Sequence, residues 1–536
     1  VERRMLHGEI AQELEKLYET RIEDITVQLA RHYQEAGNNE AAVKYLIQSG
    51  DQARRYYAHQ EATEFYQQAM PFLRKQPDPE RAARTLMKLG LTYHNAFDYN
   101  AARGSFEEGF LFWQRMAEEK RHPGASAQAP HPLRVLTLEP TNLSHLTAMD
   151  FPSHVVLDQL FSGLVEVSPD LDLVPDIAVS WEVLDGGRKY IFHLREDVYW
   201  SDGVQVTADD FEFTLKRILS PAGDRRWHVY LSDIKNAVEY NQGEISDDIL
   251  LGIHALDQFT LSIDLIGPAS YFPYITGFHS IYPAPRHVFA AADPGVEPGL
   301  LVNNGPFTLA SWKRGESLVL ERNLAYHGQF TGNVQRVECN FLSGQYDKFL
   351  QRYQEHSVDM CIGLPFSEIV GARQRFAEDY VSGPWMASNF IGFDVRKPPF
   401  NSHQVRRAFA LALDHDALAD VTLMGYAFPA IGGLIPPDMP GHSPGINSPY
   451  DPEAARQALA EAGYPDGKGF PEVDCFVRDD PGHDLASVYL QNQALKVLDV
   501  RINCKPVRWG EFYQLMQQNS PSMWMVSWYA DYPDPD

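Results

Sequence analysis

The sequence predicts a multidomain protein, in which an all-α helical repeat is followed by a larger α/β part. From residue 1 to about 117, apolar and small residues recur at the spacing of amphipathic helices, with short breaks between them. From residue 133 onward, stretches that alternate as strands do are interspersed with helical stretches. The length of 536 residues suits roughly three or four domains.

The helical part divides at Gly37-Asn38-Asn39 and at Gln76-Pro77-Asp78-Pro79. A stretch that fits the tetratricopeptide (TPR) pattern contains Leu86, Leu89, Gly90, Tyr93, Ala102 and Phe106. Small residues in this pattern let two antiparallel helices approach, and aromatic residues fill the space between them. Ala62, Tyr66 and Ala69 repeat its second half about 40 residues earlier. A generic helical solenoid is the alternative.

The beginning of the chain also resembles a known arrangement. The segments that carry this resemblance include Leu6-His7, Leu29-Ala30-Arg31-His32-Tyr33 and Ala36-Gly37. They are similar to the helical repeats that follow the ATPase module in large bacterial signalling regulators.

Residues 118–132 predict a linker, because the composition shifts to Pro, Gly, Ala and Ser and the periodicity disappears. The predicted domains are therefore a TPR-like repeat at 1–117, this linker, and an α/β part at 133–536. Limited proteolysis is expected to cut the linker first.

The α/β part begins with a predicted strand at Leu133–Leu138. A turn at Asp185-Gly186-Gly187 precedes a second strand, in which Tyr190, Phe192 and Leu194 alternate with polar residues. Thr207 and Asp210 form a predicted capping box that opens a helix.

Two further strands are predicted at Phe307–Trp312 and Leu318–Leu320, and a helix at Val405–Leu413. Asp451-Pro452 opens another helix, which Gly463 closes.

Composition excludes several classes of function. The net charge of −26 argues against nucleic-acid binding, because phosphate contacts need a basic face. Cys339, Cys361, Cys475 and Cys504 lie far apart in apolar stretches, which favours buried free thiols over disulfides. No apolar run reaches the length of a membrane helix.

Signatures of enzymes and of cofactor sites are absent from the sequence. The Gly463–Gly469 stretch has a Gly-Lys pair but lacks the spacing of a phosphate-binding loop. His415, between Asp414 and Asp416, is better explained as a local cap than as a metal ligand. Asp209 and Asp210 are adjacent on a helix and do not face each other. We therefore predict no enzyme activity, no metal and no cofactor.

The most informative run is Trp528-Tyr529-Ala530-Asp531-Tyr532-Pro533-Asp534-Pro535, after the apolar stretch Met523-Trp524-Met525-Val526. An acid beside aromatic rings at the end of a buried strand can receive an ammonium group. The alternative is a strand followed by an Asp/Pro turn.

This run resembles the late signature of family 5 extracytoplasmic solute-binding proteins, the oligopeptide- and dipeptide-binding class. Further matches follow in family order from about Pro132. They include Leu157–Val167, Leu173–Trp181, Tyr190–Arg195, Val198–Gly203, Val206–Phe211, Asn304–Phe307, Ile391–Asp394 and Val405–Phe409. Most of these residues are scaffold, and Trp181, Trp200 and Phe211 are expected in the core.

The resemblance implies a periplasmic-binding-protein-like fold with two lobes and a smaller extra domain, hinged around a peptide-sized interlobe cleft. It also implies that Asp531 holds the α-amino group of a peptide. Trp509 and Trp528 match the family's pocket tryptophans and are expected to form apolar walls of the binding site.

Two departures from the family pattern matter. Family members that take peptides can hold the terminal carboxylate with arginines, and the matching positions here are Met516 and Met525. We therefore expect the ligand to be a short peptide anchored elsewhere, or another cationic or amphipathic solute. The chain also ends before the family's last segment, so we expect it to be truncated at its C-terminus.

Two functions from different classes remain open. The first is binding of a small peptide or peptide-like solute, either for an ABC-type importer with its permease or as a sensor fused to an upstream regulator module. The second is a scaffold whose TPR-like helices bind protein partners and whose solute-binding part has lost its ligand. The absence of a signal sequence and the regulator-like repeats favour the cytoplasm, and an extracytoplasmic location is the alternative.

Overall fold

The computed structural model describes residues 2–119 and 131–534, except 76–77, 149, 223–227, 290–295, 329, 331, 342–347, 365, 384, 424, 426, 438, 479–480 and 533. The chain forms two compact units, Val1–Pro365 and Phe366–Asp536. Most of the predicted linker, residues 120–130, lies outside the described residues, and the boundaries at 117 and 133 stay predictions.

Six α-helices fill residues 2–119, as the sequence predicted. They are α1 (Glu2–Leu17), α2 (Thr26–Ala36), α3 (Asn39–Arg55), α4 (His59–Leu73), α5 (Pro79–Asn95) and α6 (Tyr99–Glu119). The predicted breaks are capping sites. Gly37 ends α2 in the left-handed region at φ +80°, and the Asn38 side chain accepts the backbone N–H of Ala41. Asp78 caps α5 in the same way, with Pro79 as its first residue.

One contact recurs along the helices. A Cβ atom on Gly50 would lie 2.5 Å from the Tyr66 ring, and one on Gly90 would lie 2.5 Å from the Phe106 ring. Each glycine therefore lets an aromatic ring of the next helix lie directly on the backbone. The contact joins α3 to α4 and α5 to α6, which indicates successive helix pairs. Assignment of these pairs to the TPR class stays a prediction.

The α/β part of the first unit contains eleven strands among its described residues. They are β1 (Leu133–Thr137), β2 (Val165–Val167), β3 (Leu173–Pro175), β4 (Ala178–Leu184), β5 (Lys189–Leu194), β6 (Ile253–Asp257), β7 (Thr260–Asp264), β8 (Phe307–Lys313), β9 (Ser317–Arg322), β10 (Arg336–Phe341) and β11 (Met360–Cys361). Its α-helices are α7 (Phe151–Leu160), α8 (Ala208–Leu219), α9 (Ala237–Asn241), α10 (Phe272–Ile275), α11 (Arg286–Phe289) and α12 (Phe349–Gln354).

These strands form two larger sheets and one hairpin. One sheet has the order β11-β1-β10-β9-β8, with β1 parallel to both of its neighbours. The other has the order β4-β5-β7-β6 and is antiparallel throughout. The strands β2 and β3 pair as the hairpin. Strands β1, β5, β8 and β9 confirm the predicted strands, and the capping box of Thr207 and Asp210 opens α8 as predicted.

The second unit is a single four-stranded sheet packed with helices. Its elements are α13 (Phe366–Arg375), β12 (Ala387–Phe393), α14 (His403–Ala412), α15 (Pro452–Glu461), β13 (Val473–Arg478), α16 (Pro481–Gln493), β14 (Ile502–Val507), α17 (Trp509–Asn519) and β15 (Met523–Tyr529). The strand order is β12-β15-β13-β14. Asp451 caps α15 as the sequence predicted.

The structure thus confirms the predicted order, in which a helical region is followed by an α/β fold. No helix in the described ranges is both long enough and apolar enough to cross a membrane.

Candidate functional site

Strand β15 carries the aromatic and acidic run near the end of the sequence. It lies inside its sheet, antiparallel to β12 and parallel to β13, with Ser388 opposite Trp528. Just past the strand, the backbone N–H of Ala530 donates to the Met386 carbonyl at 2.7 Å. This bond fixes where the chain leaves the sheet and thus where Asp531 emerges.

The side chains of β15 alternate between the two faces of the sheet. Met523 and Met525 are buried in the main core of the second unit. Trp524 and Val526 point the other way and pack with Phe512 of α17. Because both faces are covered, the strand has only one register that buries its apolar residues.

At Met516 and Met525, the sequence offers no cation that could pair with a ligand carboxylate. Met525 is 5% exposed and belongs to the core. Met516 is half-buried and packs against the small cluster of Val507, Phe512 and Val526. Both thioethers are therefore packing residues of the sheet and its helix.

Three aromatic rings are exposed where β15 ends. Trp528 is 55% exposed and Tyr529 is 39% exposed. Tyr529 contacts Trp385 with ring centroids 4.8 Å apart. The residue opposite Trp528, Ser388, donates its hydroxyl to the Leu434 carbonyl at 2.7 Å. We call Trp385, Trp528 and Tyr529 the aromatic rim.

The structure brings two of the three predicted site residues to one end of β15. Asp531 is exposed two residues after the strand that carries Trp528. Trp509 begins helix α17, and its side chain lies outside the described residues. Its role at the site therefore stays a prediction.

Trp385 is the residue that the sequence analysis missed. It precedes β12, and only the pairing of Ala387 with Tyr529 brings it beside the acidic run. The match at Ile391–Asp394 marked the strand β12 but gave no signal for the ring before it.

Other residues singled out from the sequence have structural roles. Trp181, Trp200 and Phe211 are buried, as predicted. Asp210 accepts the backbone N–H of Arg286 at 3.1 Å, beyond its capping role. His415 lies 2.9 Å from the Asn447 amide, and Asp414 caps the backbone of Ala417. Nowhere in the described ranges are three His, Cys, Asp or Glu side chains grouped to hold a metal ion.

A second feature is the junction between the helices and the α/β part of the first unit. Trp181 of β4 is 2% exposed and lies edge-on to Phe110 of α6, with ring centroids 4.7 Å apart. The ring centroid of Phe106 lies 6.1 Å from that of Trp181. The helices therefore supply part of the core around this tryptophan.

Charged groups lie beside this aromatic contact. Lys88 of α5 reaches Asp51 of α3 at 3.1 Å and Asp172, in the turn between β2 and β3, at 3.4 Å. Arg84 lies 3.6 Å from the same Asp172 carboxylate. Burial raises the pKa of Asp172, and the ammonium of Lys88 opposes that rise.

His94, near the end of α5, also belongs to this junction. Its ring lies 3.4 Å from the Tyr190 hydroxyl, which also donates to the Ala269 carbonyl. Burial lowers the pKa of His94 to about 4. Below it, a Cβ on Gly187 would lie 2.9 Å from the imidazole, so the predicted glycine turn leaves room for this ring.

Comparison with known proteins decides the family. The model for bacterial extracellular solute-binding proteins, family 5, matches residues 172–536. The chain belongs to this family. The matched residues begin at Asp172, so the six N-terminal helices lie outside them. Members of this family are binding proteins and not enzymes, and homologues serve as substrate-binding proteins of ABC importers.

Several relatives support the assignment. The probable deoxycholate-binding periplasmic protein YgiS of Escherichia coli is 30% identical over 407 residues, 74% of each chain. The periplasmic oligopeptide-binding protein OppA of Escherichia coli is 26% identical, over 77% of this chain and 75% of its own. The crystal structure of an oligopeptide-binding protein, OppAIV, from Borrelia burgdorferi has a TM-score of 0.66 at 26% identity. That match covers 75% of this chain and 81% of the other.

Removal of the Trp181 ring tests the aromatic junction. We expect Trp181→Ala to lower the free energy of unfolding by about 3–5 kcal/mol, because a buried ring is lost and a cavity remains. Urea unfolding measures the change. Leu111→Ala, at a side chain of α6 that is half exposed, is the control and is expected to cost under about 1 kcal/mol. Equal small costs for both variants would mean that the helices do not pack on β4.

Removal of the Lys88 ammonium tests the ionic part of the junction. At neutral pH, Lys88→Met is expected to destabilise the protein by about 2–3 kcal/mol, because the buried Asp172 loses one of its cationic partners. The loss should shrink in mild acid, where Asp172 takes up a proton, and in the double variant with Asp172→Asn. Lys16→Met, which breaks an exposed pair with Glu13, should cost about 0–1 kcal/mol. A loss that is the same at every pH would contradict the assignment to Asp172.

Titration of His94 provides a pH signature. Its pKa is about 4 in the folded protein and about 6.5 when unfolded. Between these values the unfolded chain binds more protons, so this residue makes stability fall as the pH drops from 6.5 to 4. His94→Gln should flatten this dependence in urea titrations at pH 7 and 4.5, whereas His403→Gln, at an exposed position, should leave it unchanged. Parallel curves for wild type and His94→Gln would refute the burial of a neutral imidazole.

Proposed function

We propose that this chain binds a small peptide, or a related cationic or amphipathic solute, as the substrate-binding component of an ABC-type importer. Membership of family 5 and the relatives named as oligopeptide-binding proteins support this function. The observation that carries the proposal is that the exposed acid Asp531 directly follows the end of β15, where the exposed Trp528 lies.

In this proposal, Asp531 accepts the ligand's ammonium group. A carboxylate pairs well with an ammonium when aromatic rings beside it exclude water, because the local dielectric falls. Trp528 provides the ring in the described part of the chain, and Trp509 is proposed as a second wall. Flat rings tolerate varied side chains, which suits a site that accepts more than one ligand.

The packing of Met516 and Met525 narrows the ligand class. Neither residue offers a positive charge, so this stretch gives no partner to a peptide's terminal carboxylate. An uncompensated carboxylate is costly to desolvate. We therefore propose that the amine and an apolar side chain provide most of the affinity, and that the carboxylate contributes little at this stretch.

The other interpretations have less support. The relatives reported above are named as binding proteins, and none of those names mentions a signalling regulator. The scaffold alternative requires a lost ligand site, whereas an exposed acid and an aromatic rim remain at the end of β15. A transport-type binding protein is therefore the function that we propose.

A set of matched peptides tests the role of Asp531. Calorimetry compares a tripeptide with an apolar side chain, its C-terminal amide and its N-acetyl form. The amide should bind at least as well as the free peptide, and acetylation should abolish most of the affinity. Asp531→Asn should cost about 3–5 kcal/mol in binding the free amine, because a desolvated charge pair is broken. Trp509→Ala and Trp528→Ala should cost less, because only packing is lost.

A matched substitution controls for effects on folding. Asp499 adopts the left-handed region at φ +52°, which asparagine tolerates, so Asp499→Asn should leave binding unchanged. Deoxycholate, an anionic amphipathic solute, serves as a competing ligand class. Unchanged affinity of Asp531→Asn for the free amine would refute the amine-binding role. Tighter binding of deoxycholate than of any peptide would instead contradict a peptide or cationic ligand, and an amphipathic solute would remain.

A further inference from the structure

Two cysteines occupy neighbouring strands of the second unit. Cys475 of β13 stands directly opposite Cys504 of β14 in a parallel pair. Cys475 is fully buried in the main core, and Cys504 is half-buried and packs against the same core. Both are free thiols in this structure.

The register places the two sulfur atoms on the same side of the sheet. Residues directly opposite each other on adjacent strands point to the same face. The Cys504 thiol lies 3.7 Å from the Ser487 carbonyl of α16, so that face is the one covered by α16. Neighbouring strands are about 4.8 Å apart, which falls within the range of Cα separations that a disulfide bridges.

We propose that Cys475 and Cys504 form a reversible dithiol–disulfide pair that links β13 to β14. The two residues enclose α16, so the bond would close a loop that contains this helix. Cys475 lies on β13, which is adjacent to β15, and Cys504 lies on β14. Neither cysteine is one of the proposed ligand contacts.

The pKa values of the two thiols indicate which of them reacts first. A hydrogen bond from Cys475 lowers the pKa of Cys504, whereas the same bond and burial raise the pKa of Cys475. Cys504 is therefore the thiol that ionises first, and it is also the more exposed of the two.

The reaction consumes one molecule of a small disulfide such as oxidised glutathione. The Cys504 thiolate attacks one sulfur of the reagent, forms a mixed disulfide and releases one glutathione thiolate. The Cys475 thiolate then attacks the Cys504 sulfur, which forms the protein disulfide and releases the second glutathione. The protein loses two electrons and two protons, and the reagent gains both.

The other two cysteines provide an internal control. Cys339 lies on β10 and Cys361 on β11, and both strands pair with β1, which lies between them. Two strand spacings separate them by about 9–10 Å. This distance exceeds the roughly 7 Å beyond which two Cα atoms are not bridged without backbone movement.

Thiol mapping of the native protein tests the proposal. The protein is incubated with oxidised glutathione at pH 8, unfolded, alkylated and digested. We expect the four free thiols to fall to two, and the peptides that contain Cys475 and Cys504 to be joined with the loss of two hydrogens. The oxidised protein should melt about 5 °C higher, because the bond constrains the unfolded chain, and dithiothreitol should reverse the shift.

Single substitutions give the control arms. Cys504→Ser should retain three free thiols under the same treatment, whereas Cys339→Ser should still lose two of its three. Four unreacted thiols in the wild type, a glutathione adduct that stays on Cys504, or a link between Cys339 and Cys361 would each overturn the proposal. The wild-type map alone decides the matter if a substituted chain does not fold.

Discussion

The burial of strand β15 on both faces is the constraint on which the second unit depends. Met523 and Met525 fill the core on one side, and Trp524 and Val526 pack with α17 on the other. Side chains alternate with period two, so a slip of one residue would exchange these sets. Gly392 reinforces the register, because a Cβ there would overlap the Trp524 ring. With the register fixed, Asp531 emerges at one place only.

In the first unit, apolar and charged contacts have different roles in joining the helices to the α/β part. Buried ion pairs add little net stability, because desolvation offsets their attraction. The rings of Phe106, Phe110 and Trp181 therefore provide most of the favourable free energy. Lys88 and Asp172 instead restrict how the two parts dock, because an arrangement that kept Asp172 buried but moved it from the helices would separate its carboxylate from both Lys88 and Arg84.

Local signals in the sequence predicted much of the fold. Gly37, Asp78 and the Thr207–Asp210 capping box each act within one helical turn, and the structure has all three as predicted. The junction was not predicted, because Lys88 and Asp172 meet only through tertiary packing, and neither is unusual in its local sequence. The contact of α6 with Trp181 was not predicted either, because it too forms only through tertiary packing.

The candidate site shows the same division between local and distant signals. Trp528 and Asp531 belong to one continuous run, so the sequence places them together. Trp385 enters the rim only through the pairing of β12 with β15, which a single sequence does not reveal. The exposure of Asp531 also depends on where β15 ends, and element boundaries are set by tertiary contacts such as the bond from Ala530 to Met386.

The same strand geometry bears on which ligands the protein can hold. Met525 shares its face with Met523 and the core, so an arginine at this position would bury a guanidinium among apolar side chains unless the strand shifted. In this chain the lack of a positive charge at Met525 thus follows from the packing of the core, and it also affects the proposed ligand site. Under the proposed function, any anionic group of a ligand would find its partner away from β15, and an ammonium group would pair with the exposed acid at the strand's end. The alternation of one buried strand therefore links the stability of the second unit to the chemistry of the solute that it is proposed to bind.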